Sequence, residues 1–324
     1  MKKNILLLNL LFIAQIAICQ SNPKEYTSLI RKADSCYNTK TYTPSIDYFT
    51  EAFKIEHTNS KHLYNGACAA ALANDTGKAF NWLNLSIDNG YENITHLKID
   101  SDLAALHSKN EWEKLIIKLE KKIEILGVNY DKPLQKELLS IYEEDQSMRI
   151  KFMSIYKNPT SDRNKIDSIG KIMNYKDSLN LIKVSKILDT KGWVGKDIVG
   201  EEANKTLFLV IQHADLQTQQ KYLPMMREAV KKGNASGASL ALMEDRVALR
   251  EGRKQIYGSQ IGRDKETKMY YVSPLEDPDN VDSRRTKVGL QPLADYVSQW
   301  QIIWNVEQYI KDLPSLEIKE KTNK

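Results

Sequence analysis

Between residues 24 and 125, apolar and small side chains return at helical intervals, and the pattern itself repeats. Ala33 is matched by Ala67, 34 residues further on, and the same offset relates Ser45 to Ala79, Phe49 to Leu83 and Ala52 to Ser86. Small positions alternate with bulky ones where two antiparallel helices must touch, so each period predicts one helical hairpin. The first hairpin falls on "ADSCYNTKTYTPSIDYFTEAF" and the second on "LYNGACAAALANDTGKAFNWLNLSIDNGY". The next stretch, "HLKIDSDLAALHSKNEWEKLIIKLEKKI", leaves the period and predicts an amphipathic capping pair. Leu103, Leu106, Trp112, Leu115, Ile116 and Leu119 would face inward, keeping the last apolar face of the stack dry.

A linker at "GVNYDKP", punctuated by Gly127 and Pro133, separates this region from a second one. Leu134, Leu138, Ile141, Tyr142, Met148, Phe152 and Ile155 predict one long helix, closed at "NPTSD", and a second runs to a stop at Gly192. After the loop "WVGKDIVGEEA", the run "NKTLFLVIQHA" predicts a short, largely buried helix. Two more helices close at Gly233 and Gly252. "KQIYGSQI" and "KMYYVSPL", joined by a turn at "GRDKET", predict a small hairpin, and the chain finishes helically. The expected fold is mainly α: helical hairpins, then a mostly helical globular domain with one short β-hairpin. Its expected segments are 24–125, 130–312 and a polar tail at 313–324.

Charge narrows the partners. The chain carries 47 Lys and Arg against 42 Asp and Glu, and +5 falls to +3 once Lys2 and Lys3 are set aside, too weak to imply nucleic acid. Those two lysines, the short apolar run "ILLLNLLFIAQIAI" and the small residues Ala17 and Cys19 form an export-signal pattern over residues 1–19. Cleavage after Cys19 would place the mature chain in the periplasm or outside the cell. The alternative, a lipid anchor on Cys19, meets Ile18 where a small residue is usual. No other run is apolar and long enough to span a membrane. Cys36 and Cys68 lie on apolar helical faces and are expected as free thiols.

The 34-residue helix pairs resemble tetratricopeptide repeats, which implies a concave groove for a protein or peptide partner. Arg31 and Asn65, again 34 residues apart, would line it. The second region carries, in order, "GWVGKDIVGEEA", "IQHAD", "LALMEDRVALREGRKQIYGSQ" and "PLEDPDNVDSRRTKVGLQPLADY". On these motifs it resembles a bacterial domain-of-unknown-function family, number six-six-two-four. Asp145, Gln146 and Arg149 look like that family's Asp-Gln-x-x-Arg, and Asp177 and Asn180 like its Asp-x-x-Asn. Val194, Ser259, Leu242 and Gln217 depart from its pattern. The resemblance implies a domain and no activity.

Chemistry centres on His213, the one histidine beyond His107, at the end of an apolar run. Its ring is expected to be largely buried and neutral, hydrogen-bonded to Asp245, Asp145 or Asp177 with an arginine nearby. Asp215 lies two residues on, on the opposite side of any shared helix, and suits a cap over "LQTQQ". His57, His62, His96 and His107 show no ligand spacing and are expected as ordinary surface or turn residues. With one histidine and no cysteine in the second region, no zinc site is expected there; a phosphate loop is missing and no cofactor is expected, and without a nucleophile elbow "YGSQ" is a weak nucleophile motif. What remains is a polar set: Asp145, Gln146, Arg149, Asp177, Asn180, Gln212, His213, Asp245, Arg246, Gln255, Tyr257 and Gln260. Such a set either fixes helix packing or lines a pocket for a small polar ligand. Two functions follow as expectations: an exported interaction or ligand-binding protein, or an envelope hydrolase pairing His213 with Asp245.

Overall fold

The computed structural model describes residues 23–156 and 162–323. The expected leader, with Cys19 as its alternative anchor, lies outside the described residues, as do positions 158–161 of the "NPTSD" turn. Contacts divide the chain between residues 119 and 120 into two compact units.

The first unit is built from α1 (Pro23–Asn38), α2 (Tyr42–Ile55), α3 (Ser60–Leu72) and α4 (Thr76–Asp88). α1 packs on α2, α3 on α4, and α2 on α3, giving two stacked hairpins. All eight residues of the 34-residue series are fully buried, from Ala33 and Ala67 to Ala52 and Ser86. The small ones let helices approach, and their hydroxyls are satisfied: Ser45 Oγ donates to Ala33 O at 2.8 Å and Ser86 Oγ to Ser60 O at 2.7 Å. The period extends to the backbone. Lys40 and Asn74, also 34 apart, both take left-handed conformations, at φ 59° and 64°. The following amide reaches back in the same way each time, Thr41 N to Cys36 O and Asp75 N to Ala70 O, a Schellman-type closure that turns one helix into the next.

The capping stretch is less regular than a helix pair. It consists of α5 (Ile94–Ile99), a 3₁₀ turn over Ser101–Leu106, and α6 (Asn110–Leu126). Leu103, Leu106, Leu115 and Leu119 are buried, whereas Trp112 and Ile116 are only half-buried. Asp100 and Asp102 at the head of the turn accept the hydroxyls of Tyr64 (2.8 Å) and Tyr37. Cys36 and Cys68 are free thiols, and Cys68 Sγ lies 3.7 Å from Asp100 Oδ2. His62 corrects an expectation: it is half-buried, and its Nδ1 lies 2.6 Å from Tyr26 Oη.

The second unit centres on α7 (Lys132–Tyr156), α8 (Arg163–Lys191) and α10 (Glu201–Ile211), with the single-turn α9 (Lys196–Val199) before α10. The second half of α10, from Thr206 to Ile211, is buried all round beneath α7 and α8, and Leu207 and Ile211 are fully buried. α11 (Leu216–Lys231) and α12 (Gly237–Arg250) pack together and complete this core through Met226 and Val247. The hairpin is shorter than expected: β1 (Ile261–Arg263) pairs antiparallel with β2 (Tyr270–Val272), and most of "KQIYGSQI" is irregular. The closing stretch breaks into α13 (Val281–Lys287), α14 (Leu293–Ser298) and α15 (Val306–Asn323). Residues 313–323 are therefore not a frayed tail. They continue α15, with Leu316 buried and Lys319 paired to Asp264 at 2.8 Å.

Candidate functional site

α10 stops at Ile211, two residues before His213. Its last turn is closed by His213 N donating to Val210 O, and Asp215 then caps α11 by accepting from Thr218 N at 2.8 Å. This capping is the role expected of Asp215. Its consequence is that His213 occupies a turn instead of the apolar helix, so the residue is exposed, contrary to the burial expected of it.

The turn faces α7 and α8 across a cavity of about 260 Å³ lined by Asp145, Asn174, Asp177, Ser178, Leu181, Val210 and residues 213–215. Asp145 and Arg149 are one helical turn apart on α7 and share a face. Arg149 organises the wall. Its Nη1 and Nη2 donate to Asp177 Oδ1 (3.0 Å) and Oδ2 (3.1 Å), a bidentate pair. Nη1 also lies 3.0 Å from Asp145 Oδ1, and Nε donates to His213 Nε2 at 3.0 Å. Gln146 Nε2 donates to Asp145 Oδ2 at 2.6 Å. The expected partner of His213 is thus replaced: an arginine touches the ring, and the two aspartates are reached through it.

This arrangement fixes the state of the ring. A guanidinium can only donate, so Nε2 must be an unprotonated acceptor. Desolvation of the ring's inner edge, followed by the positive charges of Arg149, Arg246 and Arg250, lowers the His213 pKa to about 4. Water still reaches the outer side of this exposed residue and screens those charges, so the contact is worth on the order of 1 kcal/mol. Because the folded pKa lies below the ordinary value, that stability is complete above about pH 6.5 and is lost as pH falls towards 4. The unfolding free energy of the wild type should therefore exceed that of His213→Ala by a margin that shrinks over this window. A margin independent of pH would show that the ring does not hold Arg149. Burial pushes the Asp145 carboxyl up, with Arg149 and Gln146 pulling down and Asp177 pushing up.

Asp245 belongs elsewhere. It is fully buried on α12, and its carboxylate accepts three backbone amides: Ile256 N (2.6 Å), Tyr257 N (2.9 Å) and Ser259 N (2.9 Å). Both oxygens are committed to this loop, so the expected His213–Asp245 pair does not form. Burial raises its pKa, and the amides oppose the rise. The loop needs Gly258, whose φ is +69° and where an added Cβ would come within 3.0 Å of the Leu293 side chain. Gln255 ties it further, donating from Nε2 to Gln260 O and Ser273 O and accepting Gln260 N. Tyr257 contributes through its backbone, its carbonyl accepting Arg285 Nη1 at 2.5 Å. Arg284 Nε donates to Ile256 O. Arg246 links the two networks: Nη1 donates to Gln212 O (2.7 Å) and Oε1 (3.2 Å), and Nε to Gln260 Oε1 (3.3 Å).

The polar set thus splits. Asp145, Asp177 and His213 reach the cavity, with Gln146 and Arg149 behind them, and Gln212 and Arg246 brace the turn. Asp245, Gln255, Tyr257 and Gln260 hold the loop. Asn180 is fully buried on α8, one turn beyond Asp177, with neither amide atom hydrogen-bonded; it is not on the cavity wall. Asn174 and Ser178 line the cavity without having been expected there; they flank Asp177 on its helix, the one signal available. In the first unit, Arg31 is exposed on α1 and Asn65 half-buried on α3, at equivalent repeat positions.

A family model described as a family of unknown function, DUF6624, matches residues 132–306, and the chain belongs to that family. No curated protein and no solved structure matches the chain. The matched span contains both networks.

Proposed function

We propose that the chain is an exported protein of the bacterial cell envelope that binds a small polar ligand in the cavity beside His213. The repeat hairpins, tetratricopeptide-like in their period, would serve a protein or peptide partner through the face carrying Arg31 and Asn65. Export rests on the signal pattern of residues 1–19. Ligand binding rests on one observation above the others: Asp145, Asp177 and Asp215, with Asn174 and Ser178, converge on a cavity large enough for a small molecule. Arg149 is engaged by Asp145, Asp177 and His213, so the charged groups lining the space are carboxylates, whose remaining lone pairs face it beside Asn174 and Ser178. The cavity therefore suits a ligand rich in donors, an amine or a polyhydroxyl compound. Hydrolysis by His213 with Asp245 draws less support, because the Nε2 lone pair is held by Arg149 and Asp245 by its loop.

The test is thermal unfolding of the full chain with a set of primary amines, amino acids and hexosamines. At least one should raise the wild-type Tm and leave that of Asn174→Leu unmoved, since leucine at 174 fills the cavity without touching the Arg149 contacts. A set that moves neither protein, or moves both equally, would refute the reading.

A further inference from the structure

α8 carries more apolar surface than its packing uses. Ile172, Tyr175, Leu179 and Ile182 are 46%, 65%, 39% and 67% exposed, although Ile169, Val184, Ile187 and Leu188 on the same helix are buried. The steps of three, four and three residues are those of heptad a and d positions. At about 100° per residue the four side chains leave the helix within an arc of roughly 80°. Asn174, Asp177 and Leu181, which line the cavity, leave it on the opposite side.

Lysines border the stripe. Lys171 lies along one edge and Lys176 and Lys183 along the other, while Lys186, one turn beyond Ile182, closes the end of the seam. None of these four makes an ion pair among the described residues, whereas Lys191 at the end of the helix pairs with Asp131 and Lys221 of α11 with Asp189. An apolar seam with uncompensated positive edges is half of a charged coiled-coil interface.

We propose that this stripe docks an acidic amphipathic helix of a partner protein, leucine-like side chains along the seam and carboxylates against the four lysines. A second copy of the chain fits worse, because symmetric pairing along the stripe sets lysine rows against each other. A lipid surface also fits worse, because helices that lie in a membrane interface present a broader apolar face than this narrow seam. The inference is independent of the ligand cavity.

A fluorescent synthetic helix of three heptads, leucine at a and d and glutamate at e and g, is the probe, read by anisotropy against the full chain. Saturable binding is expected, weakened about tenfold or more by Leu179→Glu, and similarly by Lys176→Glu with Lys183→Glu. A matching peptide with lysine in place of glutamate should bind the charge-reversed protein better than the wild type. These positions are exposed or only half-buried, and circular dichroism would verify that the variants fold. The proposal is overturned by absent binding, or by binding that none of these changes alters. It is equally overturned by dimerisation that Leu179→Glu abolishes, or by tighter association with phosphatidylglycerol vesicles than with the peptide.

Discussion

Replacing Arg149 with alanine is expected to destabilise the second unit by about 3–5 kcal/mol, the range for removing one partner from a buried charge network. The Asp145 side chain is 2% exposed and that of Arg149 itself 19%. Without the guanidinium, Asp145 keeps only Gln146 as a donor, Asp177 loses a bidentate partner, and Nε2 of His213 loses its donor. Burial already raises the Asp145 pKa, and losing its nearest cation would raise it further. A carboxyl whose folded pKa is raised stabilises most below its unfolded pKa and least as pH climbs through the folded one. The deficit of Arg149→Ala should therefore be largest near neutrality and shrink on acidification. Asp145→Asn in the same chain should recover part of it, by removing the stranded charge. Arg149→Lys should recover little, because one ammonium cannot serve three partners in the geometry of a planar fork. Urea unfolding at pH 7 and at pH 4 gives the answer. A neutral-pH loss below about 1 kcal/mol would mean that the network does not bear on folding.

The hairpins were legible in the sequence because helix-on-helix packing leaves its mark locally. Ala33, Ala67, Ala79 and Ser86 must be small for the backbones to approach, and that demand recurs every 34 residues. The turns joining the helices were not legible. Lys40 is no sign of a left-handed residue, although Asn74, its equivalent, is. At the site, most of the polar set was visible but not its division, and Asn180 joins neither network. Asp145 and Arg149 share a helix face by spacing alone, yet nothing local says that Asp245 turns to the 256–259 loop and away from His213. The burial expected of His213 failed for a local reason. The apolar run of α10 ends at Ile211, and the cap at Asp215 obliges the chain to turn between them, which carries the ring out to the cavity rim. Asn174 and Ser178 gave no signal beyond their nearness to Asp177, since an Asn or Ser on a helix flank looks the same whether it faces bulk water or a cavity.

Removing the Asp245 carboxylate should cost about 3 kcal/mol, and it separates the loop-holding role from the catalytic one. Three amides, of Ile256, Tyr257 and Ser259, converge on it in a fully buried position, and Asp245→Ala leaves all three without an acceptor. Each orphaned donor costs about 1–3 kcal/mol, and relief of a buried charge offsets part of the sum. That offset is real, because burial outweighs the amides and raises the Asp245 pKa. Asp245→Asn should lose roughly half as much. Its oxygen can still serve Ile256 and Tyr257, while its amide nitrogen meets the Ser259 N–H donor to donor. The loop is also held by Gln255, Arg284 and Arg285, so hydrogen exchange should quicken most at residues 256–259 and leave α7 and α8 unchanged. A catalytic Asp245 would give the opposite result: Asp245→Asn would unfold like the wild type, and the pKa of His213 would shift. Unfolding curves for the two variants, with His213 titrated by NMR in Asp245→Asn, decide between these roles, and an unmoved His213 beside a destabilised loop is the expected outcome.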